Sequence, residues 1–387
     1  MSVNAWLILG FYLGLIALVY LNRKKFDVQA KFIFLYRTKW GIKLMEKIAS
    51  KFPKTVNSLS IFGIVVGFIG MIFVFYLLIE GFFNLLLVPD APATIAPVIP
   101  GVKIPGSSVF VPFWYGIISI FIVATMHEFA HGVVAKLHGL RVKSTGIVFF
   151  GPIIGAFVEP DEKQVSKLSA KKQLSIFAAG PFVNIATAFI VLALMIFIMA
   201  PAIAYSVEPS GIKITSVQEN YPASLSGIKE NDVVTEVNGE KILTGENFSS
   251  IMQNVVPGEI VSLKVNENTI NVKTGLNPNN ASRAYLGITM SQEVKLNEKI
   301  KGIFGNYLPW SIIYITQFLS WLALLSFGIG LANLLPLGPI DGGRMLYTTL
   351  SSYVEEKKAK WWFVKVTLLC VALLLFNLFY PITRGIF

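Results

Sequence analysis

His127 and His131 stand four residues apart, with Glu128 between them, in the stretch His127-Glu128-Phe129-Ala130-His131. On a helix, positions i and i+4 share a face, so both imidazoles can reach one metal ion. The carboxylate between them can act as a general base toward water at that ion. The motif lies inside the apolar run 111–134, a candidate membrane span. Ionisable groups at that depth are costly and usually functional. A five-residue pattern arises by chance in soluble helices, and a lone buried histidine is commonly a satisfied core residue. Two histidines and a glutamate without water to solvate them are harder to place as core. The third of the three histidines, His138, follows the helix exit and reads as an interfacial residue.

A hydrolytic zinc usually takes three protein ligands and keeps one position for water. Few acids lie at membrane depth: Glu80, Glu128 and Asp341. Glu80 should reach an interface. Asp341 closes the run 333–343, Asn-Leu-Leu-Pro-Leu-Gly-Pro-Ile-Asp-Gly-Gly, in which Pro336 and Pro339 cannot sustain a helix. The backbone should unwind there, which at that depth is tolerated only against protein or a water-lined cavity. Asp341 is then either a ligand or a cap at the exit of a span.

The elements that would carry these residues are membrane helices. Of 387 residues, 54% are hydrophobic and 14% charged, which describes a polytopic membrane protein. Six spans are expected, at 4–21, 59–79, 112–135, 174–205, 308–335 and 362–380. The first is no signal peptide, because basic residues follow it rather than precede it and no small-residue cleavage site appears. Residues 22–54 carry ten Lys/Arg against two acids, so this segment should be cytoplasmic. Residues 206–306 carry nine Lys/Arg against eleven acids and should lie outside. The formal charge of +11 is therefore a cytoplasmic-face excess that attracts anionic lipid and needs no nucleic acid. Residues 40–51 have amphipathic spacing suited to lying flat on that surface. Cys370 is the only cysteine, which excludes an internal disulfide.

The motif His127-Glu-Phe-Ala-His131 in a span, followed by Asn333-Leu-Leu-Pro and Asp341-Gly-Gly, resembles the site-2 protease family of intramembrane zinc metalloproteases. Gly180-Pro181-Phe182-Val183-Asn184 in the fourth span is similar to a further family element. The resemblance implies one Zn²⁺ per chain on His127, His131 and Asp341, with Glu128 as the base. It also implies transmembrane protein substrates and a multi-pass location in a prokaryotic plasma membrane, with the active site near the cytoplasmic side. Asn333 and Asn184 resemble family asparagines near the site. Asn333 could donate to a developing oxyanion; for Asn184, interhelical hydrogen bonding is the preferred role.

Residues 146–158 are too short to span as a helix and rich in β-branched and aromatic residues, with Gly151-Pro152 as a turn. They read as a membrane re-entrant β-hairpin. Its residues Gly146, Ile147, Val148, Phe149 and Phe150 are the candidates to pair with an unwound substrate strand; the bland alternative is a loop dipping into the interface.

Residues 211–290 break the membrane pattern. The segment 221–232, Tyr-Pro-Ala-Ser-Leu-Ser-Gly-Ile-Lys-Glu-Asn-Asp, resembles a PDZ domain of the bacterial protease type. Tyr285, Leu286, Gly287 and Ile288 look like its carboxylate-binding loop, in a circularly permuted order. The expected organisation is a first span with a basic segment at 1–58, membrane core at 59–205, an inserted small α+β PDZ domain at 206–292, and membrane core at 293–387. The PDZ domain could gate access or recruit a peptide or protein partner. The rival readings are a membrane transporter or metal carrier, and a catalytically inactive PDZ scaffold; neither needs a base beside the ligands.

Overall fold

The computed structural model describes residues 3–29, 33–88, 94–95, 97–102, 109–150, 153–277, 280–305 and 307–384. The chain forms two compact units: Met1–Met195 with Gln317–Phe387, and Ile196–Thr316.

The first unit begins with helix α1 (Val3–Leu21), strands β1 (Asp27–Gln29) and β2 (Ile33–Thr38), and helices α2 (Ile42–Lys51) and α3 (Pro53–Leu87). Pro53 suits the first turn of α3, where its missing N–H would have no helical partner anyway. Then follow α4 (Phe113–Leu137), the hairpin β3 (Val142–Phe150) and β4 (Ile153–Pro160), the single turn α5 (Glu162–Val165), and α6 (Ala170–Leu194). Helix α4 stops at Gly139, whose φ of +74° lets the chain reverse while Leu140 N–H returns to the Ala135 carbonyl at 3.0 Å.

The second unit carries α7 (Ala200–Ser206), β5 (Val207–Val217), α8 (Pro222–Leu225), β6 (Val233–Val237), β7 (Glu240–Lys241) and α9 (Gly245–Gln253). It continues with β8 (Ile260–Val265), β9 (Asn268–Lys273), β10 (Gly275–Asn277), β11 (Asn280–Tyr285), β12 (Ile288–Leu296) and α10 (Glu298–Phe304). Helix α11 (Tyr307–Asn333) returns the chain to the first unit, which ends in α12 (Asp341–Tyr353) and α13 (Glu356–Arg384).

Among the described residues, five helices are long and apolar enough to cross a membrane: Pro53–Leu87, Phe113–Leu137, Ala170–Ser206, Tyr307–Asn333 and Glu356–Pro381. The sixth expected span, at 4–21, is helical, but its apolar stretch Trp6–Leu21 is shorter than the other five. The core of the first unit joins α3, α4, α6 and α12 around Leu78, Ala178, Leu334 and Met345. Small residues permit this packing. A side chain at Gly67 would strike the Met345 thioether, and one at Gly70 would strike Leu334.

The amphipathic spacing expected at 40–51 appears in α2, with Trp40 and Leu44 exposed. Met45 and Ala49, four apart on α2, are buried with Val133 of α4. The basic segment also supplies β1 and β2 to a four-stranded sheet ordered β1-β2-β3-β4. The residues expected to form a re-entrant hairpin, 146–158, fall in the paired antiparallel strands β3 and β4, and β3 is an interior strand. Thr145–Phe150 pair with Thr38–Ile33 of β2 on one side and with Val158–Ile153 of β4 on the other. Arg37 ties the two hairpins together: it pairs with Asp27 at 3.2 Å, donates to Ser144 Oγ at 2.9 Å, and meets the Glu159 carboxylate. The Ser144 hydroxyl, and then Arg37, hold Glu159 below the usual carboxylate range.

The second unit holds a six-stranded antiparallel sheet ordered β12-β5-β6-β8-β9, with β7 beside β6. Its alternating apolar residues Ile212, Ile214, Val234, Val237, Val261 and Leu263 are fully buried. Asn231 adopts φ +72°, a left-handed backbone that asparagine tolerates. The last strand, β12, lies at an edge and pairs with the first, β5, from Ile288↔Val217 to Leu296↔Val207. The sheet thus runs to Leu296, past the expected boundary at 292, and brings the unit's entry and exit side by side, as an insertion requires.

Candidate metal centre

Helix geometry places His127 and His131 on one face of α4, where both are buried. The third group arrives from a chain segment 214 residues away. Helix α11 ends at Asn333, the backbone turns irregularly through 334–340, and α12 starts at Asp341. Glycine is required at the next two positions. A Cβ at Gly342 would strike the Leu334 carbonyl, and one at Gly343 the Leu337 carbonyl. This close fold-back carries the Asp341 carboxylate to the histidines.

Asp341 Oδ2 lies 3.0 Å from His127 Nε2 and 3.3 Å from His131 Nε2, and the two Nε2 atoms are 3.1 Å apart. Zinc bonds of about 2.0–2.1 Å at tetrahedral angles put ligand atoms about 3.3–3.4 Å from one another. The three atoms therefore already form one face of a tetrahedron of nearly that size. A second observation agrees: a Cβ on Gly180 of α6 would sit 2.6 Å from His127 Nε2 and closer still to His131 Nε2. Glycine keeps the space beside both lone pairs open. The donor set and the room around it fit Zn²⁺.

The ring nitrogens that face away from the centre are held. His131 Nδ1 donates to the Ile176 carbonyl at 2.7 Å, which leaves Nε2 as the lone-pair atom. His127 Nδ1 faces the amide of Asn184 at 3.1 Å. In this orientation Nδ2 is the nearer atom and the buried Oδ1 has no partner. A half turn of the amide places Oδ1 against Nδ1–H, satisfies both groups and again frees Nε2. Asn184 thus makes an interhelical contact from α6 to α4, and it falls directly behind a centre residue.

Glu128 points into the same cavity, of about 240 Å³, as His127, His131, Asn333 and Asp341. Its Oε2 accepts the backbone N–H of Val158 on β4 at 3.0 Å. Asn333 lines the cavity and donates one amide hydrogen to Ile329 of its own helix at 3.0 Å. Arg344 stands at the rim, paired with Glu162 at 2.7 Å and stacked 4.0 Å over Phe177.

The other sequence candidates lie elsewhere. Gly146 to Phe150 are engaged on both sides, as described. Tyr285 to Ile288 belong to the second unit. Leu286 is buried there, and Gly287 has φ +76° with Tyr221 where a side chain would be. Gly180, Ile176 and Val158 carry the centre without having been singled out for a role. A glycine in the middle of an apolar helix was the signal for the first; backbone donors and acceptors leave none.

Residues 115–375 match peptidase family M50. An uncharacterised protein of Methanocaldococcus jannaschii is 29% identical over 329 residues, which is 84% of this chain and 79% of that protein. Zinc metalloprotease RasP of Oceanobacillus iheyensis is 27% identical over 267 residues, 56% of this chain and 61% of RasP. Among solved structures, a PDZ domain of an SdrC-like protein from Listeria monocytogenes is 18% identical, covers 24% of this chain and 92% of that chain, and has a TM-score of 0.19.

Proposed function

The chain belongs to peptidase family M50, the site-2 type of zinc metalloendopeptidase, and from that premise we propose that it cuts peptide bonds inside the membrane-spanning segments of other membrane proteins. The observation that carries this reading is the meeting of His127, Glu128 and His131, on a helix long enough to cross a membrane, with Asp341, eight residues past the end of another such helix, in one cavity. One zinc per chain, when bound there, supplies Lewis acidity to the scissile carbonyl and lowers the pKa of the attacking water. Ile176 and Asn184 hold the two imidazoles in register. Glu128 takes a proton from the attacking water and returns it to the leaving amide nitrogen. The second amide hydrogen of Asn333 is free to reach the developing oxyanion.

A peptide bond in a helix is shielded by its own hydrogen bonds and side chains, so a substrate helix must unwind at the bond to be cut. The open sheet edge nearest Glu128 is that of β4, because the Val158 N–H that reaches Glu128 points away from β3. The period of two puts the N–H groups of Ile154 and Ala156 in the same outward row. We assign substrate pairing to this row and not to β3.

The charge asymmetry supports a cytoplasmic basic segment at 22–54 and an outer location for the second unit. We read that unit as a PDZ-type module whose free β12 edge, with α9 packed beside it, faces protein partners, and we assign it a gating role.

The test is Glu128→Gln in the full chain, assayed on a transmembrane substrate and for zinc. Cleavage is expected to fall by about 10²–10⁴-fold while zinc stays near one per chain. Undiminished cleavage would falsify the mechanism, and loss of zinc would make Glu128 a ligand.

A further inference from the structure

A second cavity of the first unit, of about 520 Å³, takes no part in the peptidase chemistry. It lies where α3 starts, α4 ends and α6 starts, so three membrane helices meet there at one face. Lys54, Lys171 and Lys172 line it with His138 and Ser169, and no carboxylate does. Among the described residues, none of the three lysines is paired with an acid. Ser169 precedes the 25-residue helix α6 but makes no side-chain cap to it. The first amides of α6 therefore add positive potential to that of the lysines.

Beside this basic cavity lies another, of about 390 Å³, which shares Ile61 and Lys171 with it. Its apolar wall is Ile64, Val65 and Phe68 of α3 with Leu174 of α6, and Thr349, Ser352 and Tyr353 of α12 also line it. From Ile61 to Phe68 the helix advances about 10 Å, into the depth of the span. A free phosphate would use only the first cavity, and an acidic peptide would leave its backbone unsatisfied in the second.

We propose that the two cavities together bind one anionic phospholipid. Its phosphate meets Lys54, Lys171, Lys172 and the α6 amides, and one acyl chain follows Ile61 to Phe68. The proposal is independent of peptidase activity, so its test does not read cleavage. Full-length protein in detergent is titrated with phosphatidylglycerol or phosphatidylcholine and examined by native mass spectrometry. One tightly held phosphatidylglycerol per chain is expected, and the combined variant Lys54→Gln, Lys171→Gln, Lys172→Gln should bind it about a hundred-fold more weakly. Val65→Trp, which fills the apolar branch and leaves every charge in place, should also weaken it. Inorganic phosphate should compete poorly. Equal binding of the two lipids overturns the proposal. So does displacement by inorganic phosphate at the lipid's own concentration, which would make this a free-anion site. If the lysine variant does not fold, Val65→Trp decides alone: unchanged phosphatidylglycerol binding in that variant overturns the acyl branch.

Discussion

The backbone N–H of Val158 donates to Glu128 Oε2 at 3.0 Å. One hydrogen bond thus joins the proposed base to the open edge of the sheet. It aims the carboxylate into the cavity and marks which N–H groups of β4 face outward.

Proline substitution tests that edge. Ile154→Pro and Ala156→Pro remove outward N–H groups that β3 does not use, so the sheet should survive. Each should lower cleavage about three- to ten-fold, the worth of one hydrogen bond, with zinc unchanged. Phe157→Pro removes an N–H bonded to β3 and should destabilise the sheet itself. Full activity in both outward variants, with the fold retained, would remove β4 as the pairing strand.

Asn184 is a positioning residue, and zinc affinity reads it directly. Asn184→Leu should weaken zinc binding about 10–100-fold by leaving His127 Nδ1–H unpaired. Asn184→Asp keeps an acceptor toward that ring and should retain most of the affinity. Equal affinity in wild type and the leucine variant, measured by competition with a chelating dye, would return Asn184 to a packing role.

His138 gives a pH signature. Burial, and then the charge of Lys172, push its pKa below the ordinary value of 6.5. Its ring bonds the Ser175 hydroxyl at 2.8 Å, and Ser175 in turn donates to the Lys172 carbonyl. The folded chain therefore holds His138 neutral where the unfolded chain already binds a proton. This contribution is complete above about pH 6.5 and is lost as the pH falls through that value toward the lower folded pKa. His138→Gln keeps a donor to Ser175 and does not titrate. The melting temperature of wild type should fall more steeply than that of the variant between about pH 7 and pH 5; parallel curves would show that His138 contributes nothing there.

For the second unit, gating and capture separate on deletion. Removing residues 207–296, the whole sheet, should widen the set of substrates cut if the unit is a gate. It should raise the substrate concentration for half-maximal rate if the unit captures peptides. We expect the first result. Gly287 is a poor probe of the choice, since its φ of +76° and the contact with Tyr221 mean that any side chain there disturbs the fold.

The centre was legible in sequence where local geometry fixes it. The four-residue spacing of His127 and His131 needs only helix periodicity. The prolines and glycines around Asp341 marked a broken helix but left it a ligand or a cap, and only the family resemblance implied a ligand. The strand character of 146–158 showed through its composition, though β3 and β4 extend beyond it to Val142 and Pro160. Strand pairing did not show, because β2 comes from a short, charged segment more than a hundred residues before β3 and nothing local names its partner. The burial of α2 was hidden for a similar reason: an amphipathic face looks the same whether it meets lipid or Val133. Asn184 lies 57 residues from His127, and only the packing of α6 on α4 brings them together.

The inserted second unit lies in the chain between His131 and Asp341. During synthesis the two histidines therefore emerge about two hundred residues before their carboxylate partner. A nascent chain already lodged in the membrane carries the base and two of the three donors but cannot close the centre. On the proposed reading, a truncation upstream of the Asp341 codon lacks the third donor and is expected to be inert.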